Sequence, residues 1–437
     1  MNKIFKLSWP VMVGMILQSL LYTVDMIFVG RLGTTQLAAV GISNSALSVI
    51  FVLSTLVSSG AIALVSRYFG EGDIENVKKI SGEAYLISLI LGILVSILCC
   101  YFAKPLLQIL FNPDNTTLKY AYEFSIIVFS GTVFVFLSST LRTIIQALGD
   151  TKTPLYIFGI ANIINMVLDP LLIYNFKLGV KGAALATLIS TIVGFVLINI
   201  VIIKKIYGKS ALTFIKSLKL SKLTTIRIFK IGGWACIKEV ARPFTGMLMA
   251  SLVYYVGKEA GSAAFSAGQQ IYNYTFIFLN GLSISIAILV GQNIGSGDID
   301  ECYELIKSGI KLAVINMIVF AIPYCIFSEK LFSIFTTDIE VITLGAAYLR
   351  ITYIGLLFVV FPMVFGGVFQ GAGDTIPPML SSIVANVVLK LPVGYLLAIV
   401  FKLGLNGVWI AISLSVVIEA IIITYYYRKD KWKEKVI

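Results

Sequence analysis

The chain has 437 residues, of which 58% are hydrophobic and 13% are charged, and its mean hydropathy is +0.95. A soluble domain carries about 25% charged residues, so this composition excludes a soluble globular protein. The net charge of +12 is compatible with a nucleic-acid partner, but the basic residues follow the predicted loops and form no continuous patch. The sequence therefore predicts an integral membrane protein.

Twelve apolar segments follow one another along the chain, separated by charged residues or by Gly, Pro, Asn and Asp turns. They are predicted as membrane-spanning helices at 7–31, 37–66, 81–102, 122–148, 155–175, 182–204, 229–256, 263–292, 307–327, 345–371, 379–401 and 407–427. Their apolar runs are continuous and do not alternate, which disfavours a β-barrel. The first run is too long for a signal peptide, so we expect it to remain as the first helix.

Lysine and arginine are distributed unequally between the two sides of the predicted membrane. The termini and the loops on their side hold 21 of these residues, whereas the opposite loops hold eight. Because basic residues accumulate on the cytoplasmic side, both termini and the basic segment 205–228 are predicted to be cytoplasmic. The expected location is the inner or plasma membrane of a cell, crossed several times.

Four motifs recur in the same order and at a nearly constant spacing, which indicates an internal duplication. The pairs are "FVGRLGTTQLAAVG" (28–41) with "YVGKEAGSAAFSAG" (255–268), "VSRYFGEGDIENVKK" (65–79) with "VGQNIGSGDIDECYE" (290–304), "QALGDTKTP" (146–154) with "QGAGDTIPP" (370–378), and "FKLGVKGAALA" (176–186) with "FKLGLNGVWIA" (401–411). Each half holds six predicted helices, so the halves share one orientation. The prediction is a six-helix lobe at 1–204, a linker at 205–228 and a second six-helix lobe at 229–437.

The repeated loops carry ordinary turn chemistry. Gly149 is suited to end one helix in a left-handed turn, Asp150 or Thr151 to cap the next, and Pro154 to its first turn. "GEGD" and "GSGD" have the same pattern. No G-x-x-x-x-G-K-[ST] motif is present, so we expect no direct use of ATP and no cofactor.

Four of the 22 acidic residues fall well inside predicted helices: Asp25, Asp169, Glu239 and Glu419. An ionisable side chain near the middle of a membrane costs ~2.5–3.5 kcal/mol on insertion scales, so each is a candidate for function. Glu419 lies near the end of the last helix, where we expect it to pack against neighbours or to extend toward the interface.

Polar residues of three predicted helices lie at a similar depth in the N-terminal half. Asp25 lies ~27 Å along the first helix, Asp169 lies ~21 Å along the fifth, and Thr187 is about one turn below the outer end of the sixth. Pro170 leaves the carbonyl of Met166 without its helical partner. Such oxygen donors suit Na⁺, and two neighbouring carboxylates also favour binding H⁺. Further polar residues on these helices are Gln18, Tyr22, Asn162 and Asn165.

The C-terminal half has a different set. The repeat aligns Met166 with Lys390, so a cation occupies the corresponding region. Glu239 and Arg242 are three residues apart on the seventh helix, where we expect them to pair. Other polar residues on a candidate substrate path are Gln269, Gln270 and Asn273.

"LSWPVMVGMILQSLLYTVDMIFVGRLG", "QALGDTKTP", "ANIINMVLDPLLIY" and "LVGQNIGSGD" together resemble the multidrug and toxic compound extrusion (MATE) family, in its prokaryotic DinF-like branch. The resemblance implies an all-α protein with twelve membrane helices in two lobes arranged as a V. It also implies a cation or proton site at Asp25, Asn165, Asp169 and Thr187. The acids that characterise the seventh and tenth helices of the NorM branch are not clearly matched, since 345–371 holds no acid.

The same resemblance implies a secondary antiporter that exports organic cations and amphipathic drugs in exchange for Na⁺ or H⁺ by alternating access. The expected partners are a small-molecule substrate and the lipid bilayer, without nucleic acid, and the expected state is a monomer. A lipid-linked oligosaccharide flippase is the alternative. It calls for a basic cavity, which Lys238, Arg242 and Lys390 fit and the central acids do not. An enzyme is not expected, because the chain has no His and its loops carry no catalytic motif.

Overall fold

The computed structural model describes residues 1–208 and 210–435, with the backbone alone at Leu110 and Ala321. Lys209 of the predicted linker and residues 436–437 of the predicted second lobe lie outside the described residues. The α-helices are α1 (Asn2–Gly30), α2 (Thr34–Gly70), α3 (Ile74–Phe111), α4 (Asn115–Ser130), α5 (Thr132–Ala147), α6 (Lys152–Pro170), α7 (Val180–Ile206), α8 (Ala211–Ser217), α9 (Lys222–Ser296), α10 (Ile299–Ile326), α11 (Ser328–Ser333), α12 (Ile339–Leu356), α13 (Val360–Gly371), α14 (Ile376–Ser382), α15 (Lys390–Tyr395) and α16 (Gly404–Arg428). The wider π turns are Leu171–Asn175, Ile383–Leu389 and Leu396–Val400, and the 3₁₀ turns are Leu357–Val359 and Lys431–Glu434. No strand occurs in the described part, which confirms the all-α class.

Ten helical segments of the described chain are long and apolar enough to cross a membrane, or eleven if α4 and α5, bent by 48°, form one span. The segment α9 is counted once among them, although 75 residues extend about 110 Å, several times the ~30 Å hydrocarbon core. Its helix is interrupted at Lys258, where φ is 50°. The predicted total of twelve requires that α4 and α5 form one span and that α9 forms two, divided at Lys258. We infer the division of α9 from its length.

The chain divides into two compact units. One comprises Trp9–Gly232, and the other comprises Met1–Ser8 together with the chain from Gly233 onward. In the first unit, α2 packs against α3, α4 and α5, and α7 packs against α4, α5 and α6. In the second, Ile4 is fully buried in a core that includes Phe265 and Trp409, whose rings stack 5.8 Å apart.

The duplication is visible in the backbone of the loops. Gly72 and Gly297 have φ of 76° and 80°, so each takes the left-handed turn that its motif predicts. The carboxylate of Asp73 accepts a hydrogen bond from the backbone N–H of Asn76, and Asp298 accepts one in the same way from Glu301, each at 3.0 Å. The bonds from the backbone and side chain of Asn76 hold the pKa of Asp73 below its usual range. Two copies of one local sequence therefore fold in the same way.

The "FKLG" loops repeat as closely. Lys177 and Lys402 have φ of 55° and 56°, and each follows a π turn. Gly182 and Gly407 occupy equivalent positions of the repeat, and they lie against the backbone of Leu172 and Leu397, which are equivalent to each other as well. An added Cβ would lie 2.7 Å and 2.6 Å from those carbonyl carbons. Both positions require glycine because the two chain segments cross in contact.

Candidate cation site

Three helices of the first unit bring the predicted N-terminal residues together. Asp25 lies on α1, Asn165 and Asp169 on α6, and Thr187 on α7. With its amide oriented so that both ends have partners, Asn165 donates to Asp25 Oδ1 at 2.8 Å and accepts from the backbone N–H of Thr187 at 3.2 Å. Asn165 therefore links all three helices in one network.

Asp169 is the most deeply placed group of the site. Its side chain and that of Asn165 are fully buried, and its carboxyl is within hydrogen-bonding reach of Asp25. Its Oδ1 atom has no hydrogen-bond partner among the described residues. A buried carboxyl oxygen without a donor is costly, so this atom is a natural place for a proton or a cation.

A cavity of about 300 Å³ lies next to Asp25 in the same unit. Its polar lining includes Gln18, Tyr22, Asp25 and Thr187, whereas its remaining lining is largely apolar. Asp169 is absent from that lining. Asp25 therefore stands between the cavity and Asp169, so an ion or a substrate in the cavity meets Asp25 first.

The two remaining N-terminal candidates have structural partners. Asn162 donates to the backbone carbonyl of Leu17 at 3.3 Å, which ties α6 to α1. Pro170 is the last residue of α6, and a π turn follows it directly. The hydroxyl of Tyr174 in that turn donates to the carbonyl of Phe28 at 2.6 Å. The helix that Pro170 was predicted to interrupt thus continues as a widened turn fastened to α1.

The charged residues of the second unit pair differently from the prediction. The expected ion pair between Glu239 and Arg242 is wrong: Glu239 pairs with Lys238 at 3.2 Å, and Arg242 pairs with Glu419 at 3.2 Å. Arg242 contacts Glu419 directly, whereas the charge of Glu239 acts on it without a direct ion pair. We call these four residues and Lys390 the basic cluster. The other predicted residues of this unit, Gln269, Gln270 and Asn273, are exposed.

One family pattern matches the chain twice. The MatE family matches residues 10–171 and again residues 235–396, which together make up most of the sequence. The chain belongs to the MatE family. The two matches are equal in length and follow the duplication in the MatE chain, and the family resemblance drawn from the motifs is confirmed.

Relatives of this MatE protein align along almost its whole length. The probable multidrug resistance protein NorM of Thermotoga maritima is 26% identical, over 100% of this chain and 94% of the relative. The probable multidrug resistance protein YoeA of Bacillus subtilis is 28% identical, over 98% and 93%. The solved structure of a MOP superfamily transporter from Pyrococcus furiosus has a TM-score of 0.90 at 22% identity, over 99% and 96%, and supports the fold.

The side chains of the N-terminal site are engaged with one another and with the helix backbone. A hard cation takes oxygen ligands, but the amide oxygen of Asn165 is taken by Thr187, and its NH₂ group faces Asp25. The hydroxyl of Thr187 donates to the carbonyl of Ala183 at 3.0 Å. The described residues contain no group of three or more His, Cys, Asp or Glu side chains placed to hold a metal. Two carboxyls in contact are suited to share one proton.

Sequence reasoning missed part of the cavity of this MatE protein. Asn44 and Ser48 on α2 and Thr191 on α7 add polar groups to its lining. Asn44 stands in the apolar stretch "AAVGISNSALS", so its placement inside a predicted helix was a usable signal. Ser48 and Thr191 gave no such signal, because hydroxyl groups in membrane helices usually donate to a backbone carbonyl of the preceding turn.

Proposed function

We propose that the protein is a secondary antiporter that exports organic cations and amphipathic drugs by alternating access. The observation that carries the proposal is the contact between Asp25 and Asp169, two acids of different helices beside a cavity inside a membrane unit. Acids are expensive in this environment and mark ion paths in transporters. The multidrug resistance relatives named above support the class of substrate.

We propose H⁺ as the coupling ion. Two carboxyls in contact and shielded from water repel each other when both are ionised, so one proton between them removes the repulsion. The amide of Asn165 then stabilises the ionised partner by donating to Asp25. Na⁺ remains the second candidate, since rotation of the Asn165 amide would turn its oxygen toward the two acids.

The proposed cycle follows from the position of Asp25 between the cavity and Asp169. An organic cation in the cavity competes with the proton for the charge of Asp25. A proton on Asp25 itself weakens the bond that this residue accepts from Asn165, which loosens the tie between α1 and α6. Coupling requires that the two conformations differ in proton affinity, and the π turn after Pro170 is the segment placed to change between them.

The proposed organisation is two transport lobes at 1–204 and 229–437, joined by a linker at 205–228. The protein acts as a monomer in the plasma membrane, with both termini cytoplasmic. Within the first unit, the linker region is held by Glu83 of α3, which accepts from the backbone N–H of Ser221 at 2.7 Å and from the hydroxyl of Thr225 at 2.9 Å. This attachment supports a linker that moves together with the first lobe.

The proposal is tested by transport in liposomes. Purified protein is reconstituted, a H⁺ gradient and a Na⁺ gradient are imposed separately, and uptake of the fluorescent cation rhodamine 123 is recorded. We expect uptake driven by the H⁺ gradient and none driven by Na⁺ alone. Uptake with Na⁺ alone would replace H⁺ by Na⁺, and the absence of uptake with either gradient would remove antiport of this class of substrate.

Asp114→Asn is a matched control for variants of the acidic pair. Asp114 caps α4 in a loop, where its carboxylate accepts from the backbone N–H groups of Thr116 and Thr117. Asparagine caps a helix about as well, so this variant removes a carboxylate without affecting the fold. We expect wild-type transport from it.

A further inference from the structure

The charges of the basic cluster do not balance. Lys238 is paired with Glu239, and Arg242 is paired with Glu419. Lys390 has no hydrogen bond or ion pair to any residue in the described part of the chain. The cluster lies on membrane-spanning helices and carries one uncompensated positive charge, which a purely structural network has no reason to keep.

Glu419 makes its direct contacts with residues other than Lys390. One carboxylate oxygen accepts from Arg242, and the other accepts from the amide of Asn386 at 3.1 Å. The side chain of Glu419 is only 4% exposed, so water does not replace these donors. Glu419 is therefore a fixed support that holds Arg242 in position.

Arg242 and Lys390 are available as a pair of cations. The side chain of Arg242 is 32% exposed, and Glu419 engages one end of a guanidinium that has five N–H donors. Lys390 follows Asn386 by four residues, and Asn386 binds the same Glu419 carboxylate as Arg242, so the two cations lie around one acid and repel each other. A bound anion would relieve this repulsion and would fill the unused donors.

A π turn accounts for the position of Lys390. Gln146 of "QALGDTKTP" recurs as Gln370 and Phe176 of "FKLGVKGAALA" recurs as Phe401, so the second half has gained one residue between these motifs. The gain coincides with the π turn Ile383–Leu389, which stands where the first half has regular helix in α6. A π turn takes one more residue per hydrogen-bonded turn, and such turns concentrate at functional sites.

The extra residue changes the alignment of the two halves. Directly after the π turn, the register of the "FKLG" loops pairs Lys390 with Asn165, and the predicted pairing with Met166 is wrong by one residue. Asn165 is the residue that faces Asp25 in the first half. The second half thus has an ammonium group at the position where the first half has the partner of its acid.

We propose that Arg242 and Lys390 form a binding site for the oxyanion, a carboxylate or a phosphate, of an amphipathic ligand. The guanidinium is suited to two parallel hydrogen bonds, and the ammonium supplies a point charge beside it. Through this site the protein binds zwitterionic or anionic amphiphiles in addition to cations. Naming this ligand as a transported substrate rests on the proposed function, whereas the binding itself does not.

Binding is measured without any gradient, so a failed antiporter and a failed oxyanion site give different results. Purified protein in phosphatidylcholine nanodiscs is titrated with fluorescein, which carries a carboxylate, and with rhodamine 123, a cation on the same ring frame. Lys390→Met should weaken fluorescein binding about tenfold, the loss of one charge-assisted contact, and leave rhodamine 123 unchanged. Lys390→Arg should retain fluorescein binding.

Lys311→Met is the matched control, since it removes an exposed lysine of the same unit that lies on α10. Lys390→Met should melt no lower than the wild type, because it removes a repelled cation. Wild-type fluorescein affinity in Lys390→Met, or an equal loss of affinity for both dyes, would overturn the site.

Replacing phosphatidylcholine by phosphatidylglycerol shows whether the oxyanion comes from a lipid or from a soluble molecule. Competition with fluorescein identifies a lipid headgroup as the oxyanion, and undisturbed binding identifies a soluble amphiphile; either supports the site.

Discussion

The two halves of the chain share their loops and differ in their buried charges. The left-handed glycines, the aspartate caps and the close approach at Gly182 and Gly407 recur at equivalent positions of the repeat. On its membrane-spanning helices, the first half holds Asp25 and Asp169, whereas the second holds Arg242 and Lys390 with one buried acid, Glu419.

This difference indicates which features the duplication was free to change. A turn is stabilised by its own few residues, so both copies need the same glycine and cap. A buried charge depends on partners from other helices, and each half acquired its own set. The scaffold is therefore shared, and the charged groups on which the two proposed sites rest differ between the halves.

The largest effect is expected at the acidic site. Asp169→Asn should lower H⁺-driven rhodamine 123 transport on the order of 100-fold, because the conformational equilibrium loses the group whose protonation it follows. The melting temperature should stay at or above that of the wild type, since a buried carboxyl with an unpartnered oxygen is replaced by a neutral amide. Transport equal to that of Asp114→Asn would exclude the acidic pair from coupling.

Substitutions of the acids in the basic cluster should lower the free energy of unfolding. Glu419→Gln removes the buried partner of Arg242 and should cost about 2 kcal/mol, below the usual loss for a buried pair because a third of Arg242 is exposed. Thermal melting of the purified protein measures this loss. The double variant Arg242→Gln/Glu419→Gln should recover part of it. Glu239→Gln leaves the pair of Arg242 and Glu419 in place and should cost less than Glu419→Gln, and equal losses at Glu239 and Glu419 would contradict the assignment.

The shared scaffold predicts paired effects of similar size. Gly182→Ala and Gly407→Ala should each destabilise the protein by about 1–3 kcal/mol, because the new methyl group would overlap a backbone carbonyl. Gly159→Ala on α6 meets no atom within 4 Å and should be neutral or slightly stabilising. A large loss at one of the paired glycines alone would show that the two crossings are not equivalent in solution.

The smallest effects are expected at the repeated caps. Asp73→Ala and Asp298→Ala each remove a side-chain bond to a helix N-terminus and should each cost about 1 kcal/mol. Asparagine at either position should retain most of the stability, since its side-chain oxygen accepts the same bond. Melting curves of the four variants test this. If alanine at one of the two positions caused no loss of stability, the two caps would not be equivalent.

Sequence reasoning predicted the acidic site better than the basic one, for a physical reason. Asp25, Asp169 and Thr187 could be placed at one depth because helix rise converts residue number into distance, and the family resemblance added Asn165. The pairing of Arg242 with Glu419 joins distant parts of the chain, and no local spacing indicates it. Glu239 is nearer to Arg242 in the sequence, and its spacing of three residues is typical of an ion pair on a helix. In the structure, however, Glu239 pairs with its neighbour Lys238.

The sequence by itself determined the membrane class, the helical segments, the duplication and the turn residues. These follow from apolar length and from chemistry within a few residues, which any short window of the chain contains. Only the tertiary structure decided that Asn165 faces Asp25, that Asp169 lies behind it, and that Lys390 is left without a partner among the described residues. Such contacts depend on how distant helices pack and on one added residue in a π turn, and packing is a property of the whole fold.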